Sequence, residues 1–427
     1  MDSNSPVCYK CIGDHALSRR ILDEGTIHTC AHCAENRETF TIAEIAELYD
    51  EKYREFYQQG DEVPVLHEDD DDSSWAMEGD SPDEIAAQWL EADEDIAYAV
   101  VEYLSDQESG DCIRDGAMPM YELGFNYVFE DTGRHYHHDL WQNFCDRVRY
   151  VRRFYDLEGS KILEDLFAGL ASLARSDVQP IITIKPDSNI TIFRARRADD
   201  RKSVKSILRN AKKNLGPNPL PKRGGRLNAP GISTFYGALD RETCIAEKRP
   251  LVGGYIVVGS FQPIREMTIL NLFAFPKSPK FPSFFLKSFD HEYELYLRLK
   301  FLSSFHEVVA NPVLPSGENV EYVPTQAVAE FFRDHLKVDG ILYRSAQMPE
   351  NHKNIALFDS ADIVEDNESK DEQNEELSPF KRIALKSMGL DIKPKRRPPR
   401  LRYIDNSARF YRVKAVNYQT DTEYELD

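Results

Sequence analysis

GGRLNAPGISTFYGALDRETCIAEKRP, Gly224 to Pro250, gathers more chemistry than any other stretch of the chain. Arg226 precedes Tyr236 by 10 positions and Glu247 by 21. Gly224-Gly225 and Pro230-Gly231 are turn signals, and between them Arg226 and Asn228 fit a short extended segment. Asp240-Arg-Glu-Thr243 has the pattern of a helix start, with Asp240 as the N-cap. Cys244, Ile245 and Ala246 would form the first apolar turn, and Glu247 would point from it toward the loop.

Later blocks keep the same order. Tyr322-Val-Pro-Thr-Gln326 is followed by Asp339-Gly-Ile-Leu-Tyr-Arg-Ser345, and then by Asn354-Ile-Ala-Leu-Phe358. Together with Arg226, Tyr236 and Glu247 they resemble the RES domain family, named for Arg, Glu and Ser, over roughly Ile190 to Asp362. The family's serine falls on Ser345. The resemblance implies breakdown of NAD, on a fold similar to ADP-ribosyltransferases, in a toxin-like or defence role. It also implies a site in which Arg226, Tyr236, Glu247 and Ser345 are catalytic.

Bulk properties narrow the remainder. The 427 residues suffice for two or three domains, and 41% hydrophobic residues suffice for real cores. A net charge of -20 argues against broad binding to nucleic acid or membrane surfaces. No apolar run reaches the roughly 18 residues of a membrane span, and the N-terminus has no apolar signal core. Seven cysteines in such a chain imply a reducing cytoplasm.

Cys8-Tyr-Lys-Cys11 and Cys30-Ala-His-Cys33 form two CxxC knuckles 18 residues apart. Four thiolates at this spacing suit a closed tetrahedral structural zinc, with His28 and His32 as alternative donors. The cysteines also match a zinc element found ahead of some RES domains, in a region named HEPN/RES N-terminal. The expected organisation is therefore a zinc element at 1–38, a helical HEPN-like domain at 39–185, a RES catalytic domain at 190–364, and an acidic linker with a basic tail at 365–427.

Helical patterning supports the second part. Ile42, Ile45, Leu48 and Tyr49 recur at helical spacing, and Ser81-Pro-Asp-Glu84 opens another helix with a capping box. The HEPN name raises an RNase reading, but the arginine, four to six residues, histidine pattern is absent. Arg134-His-Tyr-His-His138 comes nearest, and its default is a polar loop, with a second zinc site from His135, His137 and His138 as the functional alternative.

From Arg194 to Arg226 twelve basic residues face only Asp199 and Asp200. Arginines at a strand end beside a Gly-rich turn suit a pyrophosphate bidentately, so Arg194, Arg196 and Asn228 join Arg226 as substrate-binding candidates. Strands interleaved with helices, without GxGxxG or GxxxxGKS, favour α+β over a doubly wound nucleotide fold. Arg409 to Val416 alternates as an added strand would.

Cleaving nicotinamide from NAD needs little covalent help, because the departing group is cationic to begin with. The site must hold a pyrophosphate (Arg226 with Arg194 or Arg196), seat the nicotinamide (Tyr236), and set a carboxylate against the ribose (Glu247, oriented by Ser345). The acceptor is water in a glycohydrolase and phosphate in a phosphorylase. The rivals are an ADP-ribosyltransferase acting on a macromolecule, and a non-enzymatic RNA- or protein-binding adaptor. A protein inhibitor or trigger, and a homo-oligomer, complete the expected partners. The acidic run Glu68 to Asp72 and the basic catalytic region suggest restraint by the N-terminal part.

Overall fold

The computed structural model describes residues 1–66, 73–108, 120–122, 124–131, 133, 135–167, 169–173, 178–186, 188–218, 221–311, 313–314, 316–349, 351–358, 364 and 399–416. The acidic run Glu68 to Asp72, Arg134 and most of 365–427 lie outside the described residues. No helix among those described is long and apolar enough to cross a membrane.

The chain divides into two compact units, 1–137 with 279–298, and 138–278 with 299–427. In the first, Pro6–Cys8, Asn36–Thr41 and Thr26–Thr29 form a small antiparallel sheet around the cysteine knuckles. The helix Ile42–Phe56 starts on a full capping box, with Thr41 and Glu44 each bonding the other's backbone N–H. Pro82–Leu90 and Glu94–Glu108 follow, and Glu84 accepts from the Ser81 backbone at 3.0 Å. Tyr49, Ile85 and Val100 are buried in their common core. Phe281, Phe284 and Phe289 complete that unit by packing on Phe56, and Phe284 stacks on Trp89. Residues 279–298, far downstream in sequence, therefore supply part of the core of the N-terminal unit.

The second unit is built on a sheet of nine strands among the described residues. They are β1 (Ile181–Ile184), β2 (Ile192–Ala198), β3 (Phe235–Ala238), β4 (Tyr255–Pro263), β5 (Met267–Asn271), β6 (Gly340–Arg344), β7 (Lys353–Leu357), β8 (Leu401–Tyr403) and β9 (Arg409–Arg412). The order is β8-β4-β2-β3-β7-β6-β5-β1, with β9 also paired to β4. Among these nine strands β5 and β6 pair in parallel and the other strand pairs are antiparallel; an isolated parallel bridge joins Val364 to Leu401. This is a mixed helix-and-sheet fold, as the α+β expectation requires. The strand anticipated at 409–416 docks on β4.

Strand periodicity gives the sheet two faces. Ile192, Phe235, Val257, Leu342 and Ile355 lie in one large core. The opposite face carries a smaller cluster of Ala195, Ala238, Cys244, Ile256 and Val258, under the short helix Arg241–Ala246. The helices Tyr136–Asp146 and Leu157–Phe167 also belong to this unit for most of their length. Trp141 and Phe167 pack edge-on against Phe305, and Phe167 against Phe332. The residues expected as one helical domain at 39–185 are thus shared between the two units, because their apolar faces find different cores.

Candidate functional site

The helix Arg241–Ala246 begins as its sequence directs, with Asp240 Oδ1 accepting from the Thr243 N–H at 2.8 Å. Glu247 caps its C-terminal end. There its carboxylate meets two strand ends: Ser345 Oγ donates to Oε1 at 2.6 Å and Asn354 Nδ2 at 2.7 Å. Ser345, only 2% exposed, also accepts from the Gln347 N–H at 3.1 Å, so its hydroxyl hydrogen is directed at Glu247. Residues 98 and 107 positions downstream of Glu247 thereby fix one carboxylate.

The loop carrying Arg226 is held from two sides. Tyr236, on β3, donates its hydroxyl to Asn228 Oδ1 at 2.7 Å and accepts from the Leu227 N–H at 2.9 Å. Asn228 Nδ2 closes the turn on the Ile232 carbonyl at 2.8 Å. From the helix Val323–Asp334, Thr325 donates to the Arg226 carbonyl at 2.6 Å and Gln326 to the Gly225 carbonyl at 2.8 Å. A Cβ on Gly225 would stand 2.8 Å from both Asn228 Oδ1 and the Tyr236 hydroxyl, so only glycine lets the loop approach. The Arg226 guanidinium donates to the Val309 carbonyl and lies 5.6 Å from the centre of the Tyr322 ring.

These groups surround a cavity of about 390 Å³. Arg226, Tyr236 and Glu247 line it together with Arg197, Lys248, Arg249, Tyr322, Tyr343 and Asn354. Burial raises the phenols of Tyr236 and Tyr343 well above the usual tyrosine range, so both are neutral hydrogen-bonding groups. Burial, and then the nearby Arg194 charge, lowers Lys248. Arg249 holds a left-handed φ of 43°, a strained conformation for a side chain of its size.

Three of the substrate-binding candidates are placed elsewhere. Arg194 and Arg196 share a face of β2 with Ile192 and Ala198, the large-core face, while Ala195 and Arg197 share the cavity face. Arg194 is 9% exposed, its guanidinium 4.6 Å from the Phe235 ring centre. Arg196 donates to the Asn214 carbonyl at 2.8 Å and the Gly216 carbonyl at 3.2 Å, pinning the start of the Gly- and Pro-rich loop. Asn228, 5% exposed, gives its side chain to the turn behind the cavity. Arg197, Lys248 and Asn354 were not singled out from the sequence. The phase of β2 would have selected Arg197, and Asn354 heads the block Asn354-Ile-Ala-Leu-Phe358; Lys248 carries no local signal.

We expect Tyr236→Phe to lower stability by about 1–3 kcal/mol, because it strands Asn228 Oδ1 and the Leu227 N–H while keeping the ring. Thermal denaturation of the full chain measures this. An unchanged Tm would remove the loop-holding role.

In the first unit, the sulfurs of Cys8, Cys11, Cys30 and Cys33 come together. Cys8 Sγ lies 3.6 Å from Cys11 Sγ and 3.7 Å from Cys33 Sγ, and Cys11 Sγ lies 3.8 Å from Cys30 Sγ. A tetrahedron with metal–sulfur bonds of about 2.3 Å has edges of about 3.8 Å, so these residues fit a four-thiolate zinc. Arg37 faces the cluster, its guanidinium 3.8 Å from Cys33 Sγ. His32 turns away to Asp93 at 2.8 Å and Asp95 at 3.2 Å. His135, His137 and His138 belong to neither metal-ligand grouping among the described residues.

Comparison with known proteins agrees with the four separated blocks. Residues 191–378 match the model of the RES domain family. No curated protein matches the chain. Among solved structures, a chain of the M. tuberculosis MbcT–MbcA toxin–antitoxin complex aligns at 13% identity over 45% of this chain and 82% of its own, with a TM-score of 0.22. The family recognised from Arg226, Tyr236, Glu247 and Ser345 is borne out: over residues 191–378 this chain carries a RES domain.

Proposed function

We propose that this chain degrades NAD by breaking the nicotinamide–ribose bond. The observation that carries the proposal is the Glu247 carboxylate, held by Ser345 and Asn354 at the wall of a cavity that Arg226 and Tyr236 also line. In this reading the C1′–N bond breaks and its electron pair neutralises the pyridinium nitrogen. The ribose is left oxocarbenium-like, and Glu247 stabilises that charge where it develops. Tyr236 and Tyr343 offer flat neutral rings for the nicotinamide, and Arg226 with Arg197 the positive charge for the phosphates. An acceptor oxygen then bonds C1′: a water releases its proton to solvent as it adds, and a phosphate oxyanion adds with no proton to lose. Water makes the chain a glycohydrolase and inorganic phosphate a phosphorylase.

The same proposal includes a structural zinc on the four cysteines, an ADP-ribosyltransferase-like fold for the RES part, and a toxin-like role held in check by a protein partner. Incubating the purified chain with NAD labelled in the adenylate, with and without phosphate, tests the reaction. Free ADP-ribose or ADP-ribose 1″-phosphate is the expected product. Label retained on protein or nucleic acid would mean a transferase, and intact NAD would remove the enzyme reading.

A further inference from the structure

A second and larger cavity, about 770 Å³, shares Gly224, Glu318 and Tyr322 with the first. Part of its wall comes from residues that precede the RES match: Arg153 and Phe154. Phe154 is 83% exposed and belongs to a run of exposed apolar and aromatic residues with Tyr150, Val151, Tyr155 and Leu157, a patch of the kind that marks a binding surface. Its segment is nonetheless built. The helix Tyr136–Asp146 ends in a π-helical turn, Arg147–Val151, a feature that recurs at functional sites. A bidentate pair, Arg147 to Asp156 at 2.7 and 2.9 Å, ties the loop at its base. Tyr155 turns the chain at a left-handed φ of 54°.

We propose that this larger cavity receives the adenosine end of NAD, with the Phe154 ring as its stacking face; the inference rests on reading the smaller cavity as the cleavage site. The charges along the two cavities select this ligand. Arg223 in the larger and Arg226 in the smaller stand on either side of Gly224, where a pyrophosphate joining the two halves must pass. In the larger cavity Arg153 is balanced by Glu330, and by Glu318, which lines both cavities. Two carboxylates oppose a polyphosphate backbone, so a nucleic-acid strand fits poorly. An adenosine is uncharged, and its amino group and ribose hydroxyls can donate to those carboxylates. Asn319 adds an amide to read the base edge.

The test compares NAD with nicotinamide mononucleotide, which keeps the scissile bond and lacks the adenosine, as substrates of the full chain. Phe154→Ala is expected to raise KM for NAD about tenfold, the loss of one base–aromatic stack, and to leave kcat and the mononucleotide KM unchanged. Phe154→Trp should keep the NAD KM within a factor of two to three. Because Phe154 is exposed, both variants should fold. An unmoved NAD KM in Phe154→Ala, or an equal rise for both substrates, overturns the inference and leaves the cleavage site standing. A Phe154→Ala variant that instead loses affinity for a single-stranded oligonucleotide, with NAD kinetics unchanged, also overturns it. Wild type that consumes neither substrate sinks the NAD reading and this inference together.

Discussion

Glu247→Gln should reduce NAD turnover by about 10²–10³-fold without changing the fold. The glutamine keeps the length of the side chain, and its carbonyl can still accept from Ser345 and Asn354, so the two bonds that hold residue 247 survive. What disappears is the negative charge facing the cavity, and a preorganised charge at a developing cation typically contributes a factor of this size. Purified wild type and variant would be compared for NAD loss, with circular dichroism and Tm as the fold control. In bacterial cells, wild type should drain NAD and Glu247→Ala should not. Equal NAD consumption by folded wild type and Glu247→Gln would exclude a charge-dependent role for this carboxylate. Ser345→Ala should be milder, because Asn354 continues to hold Oε1.

The second large effect concerns the cysteines. Protein purified without chelator should contain about one zinc per chain, and Cys8→Ser should lose it along with the cooperative melting of the first unit. Structural zinc sites contribute on the order of 10 kcal/mol in small zinc modules, more than a domain of this size can spare. Cys8 is buried, its Sγ 3.6 Å from Cys11 Sγ and 3.7 Å from Cys33 Sγ, so the serine removes one of the four clustered sulfurs. Elemental analysis and calorimetry read the two outcomes separately. A metal-free wild type with an intact first-unit transition would refute the zinc assignment. Turnover per folded molecule should persist in Cys8→Ser, since no cysteine of this cluster lines the cavity.

Much of the candidate site was legible because its parts are marked by local rules. The Asp240 N-cap and the apolar turn Cys244 to Ala246 form as their residues direct, whereas Arg226 and Leu227, expected with Asn228 on a short extended segment, make the tip of a tight turn closed by mutual backbone bonds of Gly225 and Asn228. The two CxxC knuckles bring their four sulfurs into one cluster, as their spacing directs. The basic run was harder to resolve. In a strand, adjacent residues face opposite sides, so choosing Arg194 and Arg196 over Arg197 required the phase of β2, which Ile192 and Ala198 set by entering the large core. Asn228 looked like a ligand residue because it is polar and near Arg226; its neighbours in space, Tyr236 and Ile232, employ it in the turn. Asn354 and Ser345 reach Glu247 only through sheet pairing of β6 with β7, a contact that local pattern does not encode. Most of the basic run's lysines lie on two short helices, Arg201–Arg209 and Ala211–Leu215, and Asn210 between them caps the second by accepting from the Lys213 N–H.

The excursion of residues 279–298 has a consequence for biosynthesis. A nascent chain emerges from the ribosome in order, and the first 137 residues appear long before Phe281, Phe284 and Phe289. Until then Phe56 and Trp89 lack the rings that cover them, leaving an aromatic surface open to chaperones or to a neighbouring nascent chain. The N-terminal unit can finish folding only after most residues of the 390 Å³ cavity have been translated. Its Arg226, Tyr236 and Glu247 are by then already made, while Ser345 and Asn354 are still to come. The carboxylate therefore acquires its two donors last, so the order of synthesis itself delays assembly of the site.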